Sequence, residues 1–245
     1  MTSQQMARPA PVAVVVVIVM TVSMLAAACA QPAADRREPT TRASRDGGSA
    51  VAAPAAAKRP RIVFLGDSLT AGLGLDPAQS VPALIQERLT DEGYAYEVVN
   101  AGVSGDTTAG GLSRLDWSLD GDVRILVIEL GGNDGLRGLP VAAIKRNLTQ
   151  ILERARERQV HVLLTGMEAP PNFGASYTTE FRQVFRDLAR EHGVSFMPFF
   201  LDGVAGNPKL NQADGIHPNP AGARVVEANV WHALEPLLEK STQDR

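Results

Sequence analysis

Several short stretches of this 245-residue chain carry residues able to do chemistry. Gly66-Asp67-Ser68-Leu69-Thr70 offers a serine hydroxyl, and Gly131-Gly132-Asn133-Asp134 a side-chain amide. Asp214-Gly215-Ile216-His217-Pro218-Asn219 offers an imidazole with a carboxylate three residues before it. A serine hydroxyl is a poor nucleophile unless an adjacent imidazole takes its proton. Histidine titrates near neutrality, and a carboxylate fixes its tautomer and stabilises the imidazolium. An amide N–H can bond to charge that develops only in a tetrahedral state. Ser68, His217, Asp214 and Asn133 are therefore the parts of an acyl-transfer site. Read alone, each part has a plainer role: Ser68 as a helix cap, Gly-Gly-Asn-Asp as a turn, Asp214 and His217 as a locally bonded turn. The Gly-rich loop Asn100–Asp106 could cradle a phosphate, but no P-loop or full dinucleotide fingerprint is present. What favours catalysis is the set.

The set works only if the intervening elements bring it to one rim. Apolar runs at Arg61–Leu65, Tyr94–Asn100, Val123–Leu130, Val160–Thr165 and Val194–Phe200 read as strands. Segments of helical period at Val81–Glu92, Thr107–Leu119, Val141–Gln159, Thr178–His192 and Ala221–Lys240 separate or close them. Strands apolar throughout and separated by helices imply an α/β fold, a three-layer α/β/α doubly wound sheet of about five parallel strands. Ligands of such sheets bind beyond the carboxyl ends of the strands, where the Ser68, Gly105 and Asn133 stretches begin. Asp67 is expected to brace its loop, and Glu129, in a buried strand, to have a structural hydrogen-bond partner. His161, His192 and His232 read as structural.

These segments resemble the sequence blocks of SGNH (GDSL) hydrolases, from about Arg61 to the last helix. Ser104–Thr107, Gly131–Gly138, Pro170–Gly174 and Asp214–Asn219 are similar in particular to the multifunctional thioesterase, lysophospholipase and arylesterase branch. The resemblance implies a flavodoxin-like fold, no cofactor and no metal, and hydrolysis of acyl esters or thioesters through an acyl-enzyme. It implies Ser68 as nucleophile, His217 as base and Asp214 as the base's partner. It implies an oxyanion hole made by the main-chain N–H groups of Ser68 and Gly105 and the amide of Asn133. It also suggests Leu136, Phe173 and Ile216 as substrate-binding residues, with ordinary packing as their alternative.

Composition narrows the field further. A net charge of −3 gives no reason to expect a nucleic-acid partner, and four histidines with one cysteine leave no zinc-like spacing. One hydrolase domain is expected at residues 61–245, after an Ala/Pro-rich tether at 31–60. Residues 1–30 read as a signal peptide of lipoprotein type: Arg8, the apolar run Val12–Leu25, then Ala26-Ala27-Ala28-Cys29-Ala30, with Cys29 lipidated. The place three before Cys29 holds Ala26 where a Leu is usual. The same run could stay as an uncleaved anchor, or be cut after Ala30 to release a soluble protein. Each version places the domain outside the cytoplasm, in the periplasm or cell envelope, as a monomer acting on a small-molecule or lipid ester. Carbohydrate or peptidoglycan O-deacetylation is the alternative activity, and 5% aromatic content offers it no evident sugar-stacking platform. A non-catalytic ligand-binding lipoprotein is disfavoured by the complete set of groups. A classical α/β-hydrolase would need G-x-S-x-G, which the chain lacks.

Overall fold

Runs that are apolar on both faces need cover on both faces, and this chain supplies it. The computed structural model describes residues 59–243. Its elements are β1 (Arg61–Gly66), α1 (Ser68–Ala71), α2 (Val81–Asp91), β2 (Glu97–Gly102), α3 (Thr108–Ser113), α4 (Leu115–Ser118), β3 (Val123–Glu129), α5 (Gly132–Leu136), α6 (Val141–Glu157), β4 (His161–Thr165), α7 (Ala175–His192), β5 (Ser195–Met197) and α8 (Pro220–Gln243). Single 3₁₀ turns lie at Pro77–Gln79 and Pro171–Phe173. The expected signal segment, Cys29 and nearly all of the tether lie outside the described residues.

The five strands pair in parallel in the order β2-β1-β3-β4-β5. Helices α2 and α8 pack together on one face, while α4, α6 and α7 cover the other. In the central strands Ile62–Leu65 and Ile125–Ile128 are fully buried, joined in the core by Phe181, Phe185 and Phe200. Burial of each such side chain contributes about 1.5–3 kcal/mol. Helix α6 turns Ile144, Leu148, Ile151, Leu152 and Ala155 inward at helical spacing. The connection from β1 goes outward to β2 and the next returns past β1 to β3, so the winding reverses above β1 and β3. That is where an open parallel sheet leaves a crevice. Gly66 sits opposite both Gly102 and Glu129, so three loops leave the sheet at one level.

The elements depart from the sequence reading at definite places. The helix expected over Thr107–Leu119 is two short ones, broken at Arg114. Gly110 and Gly111 are weak helix formers, and the Arg114 side chain is drawn down to carbonyls at the strand ends. The last strand is Ser195–Met197 rather than Val194–Phe200, since Pro198 has no N–H to continue the ladder. The second strand is Glu97–Gly102 rather than Tyr94–Asn100, because the Tyr94 N–H closes the end of α2 on the Leu89 carbonyl. The single-turn helices α1 and α5 were not expected.

Candidate active site

The sheet delivers Ser68 to the crevice directly. Asp67, between β1 and α1, accepts the Leu69 N–H at 3.0 Å and caps α1, putting Ser68 at its first position. Ser68 Oγ lies 2.8 Å from His217 Nε2, and His217 Nδ1 lies 2.7 Å from Asp214 Oδ2. The other Asp214 oxygen, Oδ1, accepts the N–H groups of Ile216 and His217 at 2.9 and 3.0 Å in a turn that takes Gly215 to φ +72°. The Ile216 N–H, then the His217 ring and the His217 N–H, hold the Asp214 carboxyl down to about 2. An anionic Asp214 at Nδ1 leaves Nε2 as the imidazole's acceptor toward the serine.

Gly105 and Asn133 come from the neighbouring loops and line the same cleft as Ser68 and His217. Asn133 stands in the first turn of α5, where one amide N–H donates to Asp67 Oδ2 at 2.9 Å and the second meets no acceptor among the described residues. Asp67 thus caps the helix of Ser68 and fixes the amide of Asn133. Burial pushes its carboxyl up, opposed by the Leu69 N–H and then by Asn133. Asp134 does the matching work one residue on. Its buried carboxylate accepts the Thr108 N–H at 2.8 Å and the Thr108 hydroxyl at 2.7 Å, tying α5 to the start of α3. Asn147 of α6 donates to that hydroxyl at 3.0 Å.

Beneath the site lies Glu129, fully buried at the end of β3. Its Oε2 accepts the Thr70 hydroxyl at 2.8 Å and the Asp67 N–H at 3.2 Å, while Oε1 has no partner among the described residues. Burial, and then the Asp67 carboxylate, drive its carboxyl well above the ordinary value.

The cleft encloses about 580 Å³, with Leu73, Leu136, Met167, Pro170, Phe199 and Ile216 among its walls. Leu136 and Ile216 are among the residues lining this cleft; Phe173 is not. Its ring packs on Tyr177 with centroids 5.4 Å apart and covers Gly138, leaving Pro170 and Pro171 to line the cleft instead. None of His161, His192 and His232 borders the cleft. Among the described residues no group of three or more His, Cys, Asp or Glu side chains converges as a metal site.

Sequence reasoning missed Asp134, Thr108 and the Asp67–Asn133 bond. The signal for Asp134 was its place beside Asn133 in a loop predicted at a strand end, but its partner Thr108 lies 26 positions earlier.

Residues 64–225 match the GDSL-like Lipase/Acylhydrolase family. The chain is 48% identical over 178 residues to Esterase TesA of Pseudomonas aeruginosa, covering 72% of this chain and 89% of that protein. It is 36% identical over 184 residues to the thioesterase 1/protease 1/lysophospholipase L1 of Escherichia coli, covering 75% of this chain and 87% of that protein. The crystal structure of a psychrotrophic esterase, EstA from Pseudoalteromonas sp., inhibited by monoethylphosphonate, superposes with a TM-score of 0.70. It is 32% identical and covers 73% of this chain and 98% of that one.

Proposed function

The chain belongs to the GDSL-like Lipase/Acylhydrolase family and is a serine ester hydrolase, and from that premise we propose that it cleaves acyl esters and thioesters through an acyl-enzyme on Ser68. The observation that carries this reading is the Ser68–His217–Asp214 relay, with steps of 2.8 and 2.7 Å, opening on an apolar cleft. His217 takes the hydroxyl proton as Ser68 Oγ attacks the carbonyl carbon, and returns it to the leaving alcohol or thiol. Water then repeats the attack on the acyl-enzyme, its proton passing to His217 and on to Ser68 as the acid departs. The N–H groups of Ser68 and Gly105 and the free N–H of Asn133 receive the carbonyl oxygen as it gains charge. Aryl esters, lysophospholipids and acyl thioesters are the proposed substrates. The aliphatic wall of the cleft supports acyl chains over sugar acetates.

The test compares Ser68→Ala with the parent on one p-nitrophenyl ester at matched circular dichroism. Loss of turnover, together with loss of covalent labelling by an organophosphonate, is the expected result. Full activity in the folded variant would remove Ser68 as nucleophile. We also propose export, with Cys29 as a lipidated anchor, a reading supported by the apolar run Val12–Leu25 and the small residues that follow it. Cys29→Ser should shift the protein out of the membrane fraction or leave it unprocessed; a mature end at Gln31 would refute lipidation.

A further inference from the structure

The three oxyanion donors follow three different strands, so something must fix their spacing. The N–H of Ser68 follows β1 and that of Gly105 follows β2. Among the described residues neither donates to a protein acceptor. The Arg114 side chain bridges the two strand ends and the Gly105 loop. The Arg114 guanidinium donates through Nη2 to the Gly66 carbonyl at 2.8 Å, two residues before Ser68. Through Nη1 it donates to the Ala101 carbonyl at 2.6 Å, near the end of β2. Through Nε it donates to Asp106 Oδ2 at 2.6 Å, next to Gly105. Arg114 and Asp106 keep only 18% and 19% of their side-chain surface exposed, so the pair is poorly screened by solvent.

We propose that Arg114 is a positioning residue for the oxyanion hole, holding the Ser68 and Gly105 N–H groups at the separation a tetrahedral intermediate requires. The proposal rests on the reading of Ser68 and Gly105 given above. Its physical content is that a planar fork with donors on three nitrogens reaches three acceptors on two strand ends and a loop at once, which the single ammonium of lysine cannot do. Supporting contacts are consistent with that duty. The Val103 N–H returns to the same Gly66 carbonyl at 3.0 Å, so loop and strand end already share one acceptor. A Cβ on Gly110 would fall 2.4 Å from Asp106 Oδ1, so the glycine leaves room for the carboxylate that Arg114 engages. Arg137 donates to the Gly105 carbonyl at 2.9 Å, but that bond is exposed and restrains only one of the two loops.

The decisive variants are Arg114→Lys and Arg114→Ala, assayed with a p-nitrophenyl ester beside Ser68→Ala at a temperature where all are folded. Displaced rather than deleted donors should lower kcat and kcat/KM together, by about 10- to 100-fold. Titration with an organophosphonate, allowed to run to completion, should still count a full complement of reactive serines in both Arg114 variants. A merely structural role would instead reduce the number of titratable sites and leave each surviving site at parental speed. The inhibition constant of an alkylboronic acid, which forms a tetrahedral adduct on serine, should weaken in proportion to the loss in kcat. Added guanidinium at sub-denaturing concentration should restore part of the turnover of Arg114→Ala and none of Arg114→Lys. If Arg114→Lys is folded and turns over within about twofold of the parent while Ser68→Ala is inactive, Arg114 has no such role. If Ser68→Ala itself stays active, the serine reading fails instead.

Discussion

Asn133 is the place where the chemistry of the site can be separated from its shape. One amide N–H is committed to Asp67, so its truncation removes a donor from the cleft while Ser68 and His217 keep their 2.8 Å contact. Asn133→Ala should therefore be labelled by a phosphonate yet lose about 10²-fold in kcat, a loss to be read by steady-state kinetics on an aryl ester. Asp214 makes the opposite case. Its carboxyl is held at about 2, so it is anionic wherever the enzyme is assayed near neutrality. Asp214→Asn keeps the shape but offers an amide to Nδ1, which favours the wrong imidazole tautomer. Turnover should fall by about 10²- to 10⁴-fold with little change in melting temperature. At this scale the sequence was legible where a residue type announces its own chemistry, as Ser68, His217, Asp214 and Asn133 do. It was not legible for Asp134 and Arg114, whose duties depend on acceptors or donors 26 and 48 positions away.

At the scale of elements, the strands of the central sheet could be read because a fully buried strand is apolar at every position, as Ile62–Leu65 and Ile125–Ile128 are. Helices of four or five residues hold little more than one turn, so α1 and α5 left no period to detect, although they carry Ser68 and Asn133. The direction of the Phe173 ring was equally hidden, since Gly138 and Tyr177 choose it. How closely elements approach is also a tertiary fact. A Cβ on Gly102 would stand 2.3 Å from the Ala71 nitrogen, so the end of β2 presses on the backbone of α1 with no side chain between them. Backbone cannot rotate away as a side chain can. Gly102→Ala should cost at least about 1–3 kcal/mol in urea denaturation, and should lower activity in the fraction that stays folded because α1 carries Ser68.

Over the whole molecule the titration of Glu129 becomes a property of stability. Its carboxyl is raised in the fold, first by burial and then by Asp67, and the Asp67 carboxyl is raised too. A raised acid contributes stability in full below its unfolded value near 4.3, and that contribution fades as pH climbs through the folded value. Urea midpoints should therefore decline as pH rises above the unfolded value of about 4.3. Glu129→Gln, neutral at every pH and able to accept from Thr70 and Asp67, should flatten that decline; an unchanged slope would mean that Glu129 is ionised in the fold. The order of the strands has a different kind of consequence. Ser68, Gly105 and Asn133 follow β1, β2 and β3, whereas Met167 and Pro170 follow β4, and Phe199 and Leu201 follow β5. The nucleophile and the oxyanion donors thus follow one half of the sheet, whereas Asp214 and His217, between β5 and α8, stand in the other half beside much of the apolar wall. Selection, or an engineer, can recut the wall contributed by Met167, Pro170 and Phe199 to suit a new acyl chain and leave Ser68 and its donors alone, provided the Asp214–His217 turn is kept.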